Sequence, residues 1–172
     1  MNRKIIFVSD YFLENGVFGG AEYYNNNLIA YLSGGYRPSE GRLAVERINS
    51  SNVTPSYLHH NKQNLFLIAN FMLLSEEAKE YLTQNVEYAI IEHDHKYASS
   101  NNPALYKDFF IPESLIINKE FFKGAKIVFC QSKLHSQTLQ KNLLLENICN
   151  LGGNIWTNEQ LETIKTKACP PP

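Results

Sequence analysis

The chain alternates short apolar runs with longer amphipathic segments. The runs are rich in Ile, Val, Phe and Leu, a pattern typical of strands buried on both faces of a parallel sheet. They predict strands at 4–9, 42–48, 64–71, 86–93, 126–132 and 147–151. The segments between them space apolar residues as helices do, and predict helices at 21–32, 52–61, 75–84, 113–125, 133–146 and 157–167.

Several helix ends carry capping signals. Ser75 precedes two glutamates in the first turn of its predicted helix, and Thr157 with Gln160 stands in capping-box register. Gly34 and Gly35 follow the first predicted helix and are candidates for its C-terminal cap.

This alternation predicts an α/β fold of Rossmann-like type. Strand–helix–strand units imply right-handed crossovers, hence a mostly parallel sheet of about six strands with helices on both faces. We expect a single domain over residues 1–168, and a Pro-rich tail, or the start of a linker, over 169–172. If the first strand is central, we expect the strand order 3-2-1-4-5-6.

Composition excludes several classes of protein. Of 172 residues, 44% are hydrophobic and 19% charged, as in globular proteins, and the net charge is −1 without a basic run. We therefore expect neither nucleic acid as a general ligand nor an anionic membrane surface. No apolar run approaches a transmembrane segment, and the first ends at Asp10, too early for a signal peptide. Three cysteines lack CxxC spacing, so we expect a cytoplasmic protein without a zinc site or disulfide framework.

A glycine pair, Gly19 and Gly20, stands where the first predicted helix begins. It permits two interpretations. The pair can form a plain tight turn, or it can let backbone N–H groups and the helix dipole approach a phosphate without a Cβ in the way.

A second unusual stretch, "EHDHKY", ends the fourth predicted strand. His93 can act near neutral pH as a base or hydrogen-bond donor, with Asp94 or Glu92 tuning its charge. His93 and His95 could also bind a metal, but no further ligand lies nearby, so we expect no metal and no cofactor. Polar residues that merely end a strand remain an alternative, and which histidine faces the ligand cleft stays open.

Other candidates are weaker. Ser132 and Lys133 begin a helix after the fifth strand, where they could contact an anion or a sugar hydroxyl, or Ser132 could be an ordinary N-cap. Trp156 could stack on a sugar or simply pack. We expect His135 to face solvent or to cap a contact.

Four stretches together resemble the amino-terminal half of a GT-B-type glycosyltransferase, and most closely the large retaining family 4. They are "KIIFVSDYF…FGGAEYYNNNLIAYL", "YAIIEHDHKY", "AKIVFCQSKLHSQTL" and "NICNLGG". The resemblance covers nearly the whole chain except its middle, residues 34–84.

The resemblance implies roles for particular residues. The "GGAE" turn, matched by Gly19, Gly20, Ala21 and Glu22, would lie near the donor diphosphate and the acceptor. The His-Asp pair at a strand end, matched by His93 and Asp94, would place the histidine at the reaction centre. Ser132 would match the serine that ends a later strand.

The implied reaction moves a hexose from a nucleotide diphosphate sugar to an acceptor hydroxyl. The carboxy-terminal domain that binds the donor in this family is not represented in these residues, so we expect the chain alone to be inactive. Its partner would be that domain or a separate chain.

Two alternatives belong to other classes. The first is a non-catalytic binding or assembly module that forms a homodimer through the exposed interdomain face. The second is a small flavodoxin-like protein that binds a phosphate or nucleotide.

Overall fold

The computed structural model describes residues 3–34 and 43–167 and shows an α/β fold with a six-stranded, all-parallel sheet. The strands are β1 (Ile5–Ser9), β2 (Val45–Asn49), β3 (Leu65–Ile68), β4 (Tyr88–Glu92), β5 (Ile127–Cys130) and β6 (Ile148–Asn150). The α-helices are α1 (Gly20–Leu32), α2 (Pro55–Asn61), α3 (Glu76–Asn85), α4 (Lys119–Gly124), α5 (Lys133–Leu143) and α6 (Asn158–Lys167).

The strands lie in the order β2-β1-β3-β4-β5-β6, so the expected order 3-2-1-4-5-6 is wrong. β3 pairs with β1 on one side, Ile5 opposite Leu65, and with β4 on the other. Composition explains the exchange, because β2 reads VERIN and is half-exposed along its length, which suits an edge. β3 reads LFLI, is largely buried, and fits between two neighbours.

The two faces of the sheet carry different helices. One face packs Ile6, Val8 and Ile68 against α2, α3, α4 and α5. The other face packs residues such as Phe7 and Ile91 against α1. Successive side chains of a strand point to opposite faces, so each of the strands β1 to β5 contributes to both clusters.

The predicted N-terminal caps at Ser75 and Thr157 are confirmed. The Ser75 hydroxyl accepts from the N–H of Ala78 at 3.2 Å. Thr157 Oγ1 accepts from Gln160 N–H at 3.1 Å, while Gln160 Oε1 accepts from Thr157 N–H at 2.8 Å. Gly34 has φ +83° beyond the end of α1, whereas Gly35 and the predicted tail lie outside the described residues.

The helix predicted over 113–125 is too long. Only one 3-10 turn forms at Glu113–Leu115, and α4 starts at Lys119. Asn118 interrupts the helix with φ +55°, and its side-chain amide donates to the carbonyl of Lys96 at 2.8 Å. Contact with the loop after β4 therefore outweighs local helix propensity here.

Among the helices of residues 3–34 and 43–167, none has the length and apolarity needed to cross a bilayer.

Candidate functional site

The loop after β4 folds around a buried carboxyl group. Glu92 is fully buried, and its Oε1 accepts from the N–H groups of Asp94 at 2.7 Å and Lys96 at 3.3 Å. The Lys96 ammonium lies 3.8 Å from the same oxygen and donates to Asp94 at 2.9 Å. Burial raises the pKa of Glu92, against the opposing pull of Lys96. Glu92 thus shapes the loop that carries both candidate histidines, a structural role not predicted from the sequence.

His93 lies in a hydrogen-bond network that connects the loop after β4 with α1, β1 and the end of β5. Its Nε2 lies 3.2 Å from Oδ1 of Asn25 in α1, and its Nδ1 lies 2.9 Å from the side-chain amide of Gln131, just after β5. Asn25 is fully buried and donates its amide to Ser9 of β1 at 3.3 Å. The ring of Tyr24 meets the imidazole edge-on, with centroids 5.1 Å apart.

This network fixes the protonation state of His93. Burial, and then the Lys96 ammonium, lower its pKa to about 4, so the imidazole is neutral at pH 7. Since Asn25 Oδ1 is an acceptor and the Gln131 amide a donor, the hydrogen bonds assign the proton to Nε2. His93 is therefore a neutral, oriented hydrogen-bonding group.

His95 lies on a different side of the loop. It has φ +54°, its Nδ1 lies 3.0 Å from the hydroxyl of Tyr97, and its ring centroid lies 4.2 Å from that of His135 in α5. His135 is only 6% exposed, so the expectation that it faces solvent is wrong. Of the two candidate histidines, His93 is the one that contacts the helix begun by the glycine pair.

The two glycines of the turn have unlike surroundings. Gly19 is the N-cap of α1, and a Cβ there would collide with Oε2 of Glu22. A Cβ on Gly20 would meet no atom within 4 Å. Glu22 is 9% exposed, with Oε1 3.5 Å from the Asn70 amide, so a carboxylate already sits in the first turn of α1, where the helix dipole favours it.

Gly20 opens onto a cavity of about 300 Å³, which we call the Gly20 cleft. It lies between α1 and the chain that leads into α6. Its lining consists of Gly20, Tyr23, Tyr24, Asn27, Asn154, Ile155, Trp156 and Gln160.

A neighbouring groove of about 420 Å³ runs between α1 and the segment after β6. Apolar side chains of α1 and of strands β3, β4 and β5 form most of its lining, among them Leu28, Leu67 and Phe129. It offers few polar groups for chemistry.

Ser132 and Lys133 stand beside Gln131 at the start of α5. The Ser132 hydroxyl accepts from the N–H of His135 at 3.2 Å, which is the N-cap interpretation. Lys133 is exposed and forms no ion pair with the residues that the structure describes. Their predicted contact with a ligand stays a prediction.

The crevice between β1 and β3, where the strand order reverses, is closed by a second carboxylate. Asp10, 8% exposed, accepts from the N–H groups of Met72 at 2.9 Å and Leu73 at 3.0 Å, and from the hydroxyl of Ser50. In open α/β sheets this position commonly holds a ligand. Here the chain's own acid occupies the N–H groups that could have held a phosphate.

No three His, Cys, Asp or Glu side chains gather into a metal site within residues 3–34 and 43–167. His93 and His95 contact different helices and do not converge.

Comparison with protein-family models, with curated protein sequences and with solved structures finds no match to this chain.

Proposed function

We propose that the chain is the acceptor-side half of a glycosyltransferase that moves a hexose from a nucleotide diphosphate sugar to an acceptor hydroxyl. One observation carries the proposal. His93 hydrogen-bonds both Asn25 in the glycine-initiated helix and Gln131 after β5, so three of the motifs that resemble family 4 meet at one side chain.

His93 orients a sugar or acceptor hydroxyl. Because the neutral ring has its Nδ1 against the Gln131 amide, a substrate hydroxyl can replace that amide and donate to Nδ1. Asp94 is exposed and lies beside His93 in the chain, where it can contact the same substrate. His95, hydrogen-bonded to Tyr97, supports the loop.

Apolar side chains at the carboxyl edge of the sheet support the idea of a half-site. Several large hydrophobic residues in the segments that follow β1, β3, β4, β5 and β6 are exposed, as they would be on a surface that another domain or chain covers. They are Tyr11, Phe18, Met72, Leu73, Leu105, Leu134 and Leu151.

Calorimetric titration with UDP, GDP and their sugar conjugates tests the proposal. We expect weak binding, with a Kd of about 1 mM or higher, that His93→Ala weakens and that the exposed control His60→Ala leaves unchanged. Gly20→Val places a side chain in the open space at the turn, where a Cβ meets no protein atom, and so tests whether the ligand occupies that space. Tight binding, with a Kd of about 1 μM, would mean a complete nucleotide site and would contradict the half-site.

The flavodoxin-like alternative has one observation in its favour, the strand order, because 2-1-3-4-5 is the order of that fold. The crevice at the point of reversal argues against it, since Asp10 occupies the backbone N–H groups there and would repel a phosphate. Titration with flavin mononucleotide separates the cases, and binding at micromolar concentration would favour the alternative.

The assembly-module alternative draws on the exposed apolar edge. Sedimentation velocity at micromolar concentrations tests it. A homodimer that persists on dilution would favour this alternative, and a monomer would leave the edge to a different partner.

A further inference from the structure

The Gly20 cleft combines two exposed aromatic rings with fixed amide groups. Trp156 is 51% exposed and Tyr23 is 45% exposed, and both line the cleft together with Gly20. Large aromatic side chains supply broad, rigid contact area while tolerating water at their polar ends. They are the part of a pocket on which a flat ligand can lie.

The polar part of the cleft is held in place before any ligand binds. Asn27 is 5% exposed, and its amide N–H groups donate to the Ile155 carbonyl at 2.9 Å and to Gln160 Oε1 at 3.0 Å. These two bonds fix the amide, and no described residue donates to Asn27 Oδ1, which is left as an acceptor. Among the same residues, the Gln160 side-chain N–H₂ group is likewise left as a donor.

The charges around the cleft disfavour an anion. The lining residues that the structure describes include no Lys, Arg or His, and the Glu22 carboxylate lies in the same first turn as Gly20. A diphosphate at Gly20 would lose the helix-dipole attraction that Glu22 already uses and would meet that carboxylate's repulsion.

We propose that the Gly20 cleft binds a neutral pyranose ring. The C–H face of the sugar lies on Trp156 or Tyr23, whose π-faces are electronegative, and its hydroxyls bond Asn27 Oδ1 and Gln160. The volume of about 300 Å³ suits one sugar ring. Glycine at position 20 leaves room for that ring.

This inference rests on the proposed glycosyltransferase function and refines it. The glycine pair then serves the uncharged sugar of the acceptor, and the donor diphosphate binds elsewhere. The same chemistry could come from the hexose of a nucleotide sugar, so the experiment includes both kinds of ligand.

Trp156 is the only tryptophan of the chain, so its fluorescence reports directly on the cleft. The intact chain is titrated with the methyl α-pyranosides of glucose, mannose and galactose, each to about 100 mM. We expect a saturable change in emission with at least one of them. Tyr23→Ala should weaken that binding about fivefold or more, whereas Tyr11→Ala, at 43% exposed and outside the cleft, should leave it unchanged.

Saturation-transfer NMR with the same glycosides tests Trp156 itself. We expect Trp156→Ala to lose the transfer signal and Trp156→Phe, which keeps an aromatic face, to retain part of it. Because Trp156 is half-exposed, we expect both variants to fold. A circular dichroism spectrum like that of the original protein checks this.

Three outcomes would overturn the inference. The first is no response to any glycoside, and the second is binding that Tyr23→Ala and Trp156→Ala leave unchanged. The third is a UDP-hexose that binds through the cleft about tenfold more tightly than its methyl glycoside. The glycoside titration contains no nucleotide. If no glycoside binds, the nucleotide titration that depends on His93 can still support the proposed function. If the nucleotide titration shows no binding, the glycosides can still bind in the cleft.

Discussion

The imidazole rings of His95 and His135 lie with their centroids 4.2 Å apart and tie the loop after β4 to α5. Both side chains are neutral at pH 7, because burial lowers the pKa of each to about 4. For His95 the neighbouring His135 contributes to this lowering of the pKa, since two imidazolium charges at this distance would repel.

Stability should therefore fall in mild acid. An unfolded histidine binds a proton below about pH 6.5, whereas these folded histidines, and His93 with them, do so only near pH 4. The free energy of unfolding should decrease as pH falls from about 6.5 to about 4, by at most about 1.4 kcal/mol per pH unit for each histidine. Urea denaturation at pH 7.5, 6 and 5 measures this slope.

His135→Phe should reduce that slope while folding is retained at pH 7.5. The Nε2 of His135 is buried without a hydrogen-bond partner among the described residues, so an apolar ring loses nothing there. His60→Phe, at an exposed position of α2, is the control. A slope unchanged by His135→Phe would show that the His95–His135 contact does not set the acid response.

The two glycines of the turn should respond differently to alanine. At Gly20 a Cβ meets no atom, and alanine restricts the unfolded chain, so Gly20→Ala should raise the free energy of unfolding by up to about 1 kcal/mol. At Gly19, the N-cap of α1, the Cβ makes the Glu22 carboxylate shift, and alanine is a poorer N-cap than glycine, so Gly19→Ala should be less stable than Gly20→Ala. Equal thermal midpoints for the two variants would refute this difference.

Glu92 should be the acid on which the loop after β4 depends most. Glu92→Ala removes the acceptor for the N–H groups of Asp94 and Lys96 and leaves the buried Lys96 charge less compensated. We expect a loss of about 3 kcal/mol in the free energy of unfolding. Glu92→Gln keeps an acceptor oxygen and should cost less.

Asp94→Ala is the comparison for Glu92, since Asp94 belongs to the same loop but is exposed. It should change the free energy of unfolding by less than about 1 kcal/mol. A loss as large as that of Glu92→Ala would mean that the loop depends on the surface ion pair.

The cysteines should differ in reactivity. Burial raises the pKa of Cys130 to about 12, and its side chain lies in the core, whereas Cys149 in β6 is half-buried. Alkylation by iodoacetamide at pH 8, mapped by mass spectrometry, should modify Cys149 while Cys130 stays intact until the protein unfolds. Modification of both at equal rates in the folded protein would contradict this.

The sequence predicted the elements well because their signals are local. Apolar runs, the serine before Glu76, and the Thr157–Gln160 spacing depend only on neighbouring residues, and each appears where predicted. Strand order depends on which strands tolerate an edge. The charged residues of β2 indicate an edge strand, and the wholly apolar β3 indicates an internal one. The order 3-2-1-4-5-6 followed instead from placing the first strand at the centre of the sheet.

The details of the site depend on contacts that no local pattern reveals. His135 is buried against the ring of His95, a residue with φ +54° in the loop after β4. The difference between Gly19 and Gly20 depends on where the Glu22 side chain folds. The break at Asn118 depends on its bond to the carbonyl of Lys96.

The two faces of the sheet bury apolar clusters of different size, and this difference affects how the molecule moves. Among the described residues, the sheet face beneath α2–α5 holds the larger apolar cluster, and α1 covers the other face with fewer buried neighbours. Local opening is easiest where buried contacts are fewest. A ligand bound between α1 and the start of α6 would contact the side of the sheet with fewer buried contacts. Its binding would therefore also stabilise α1 against local opening.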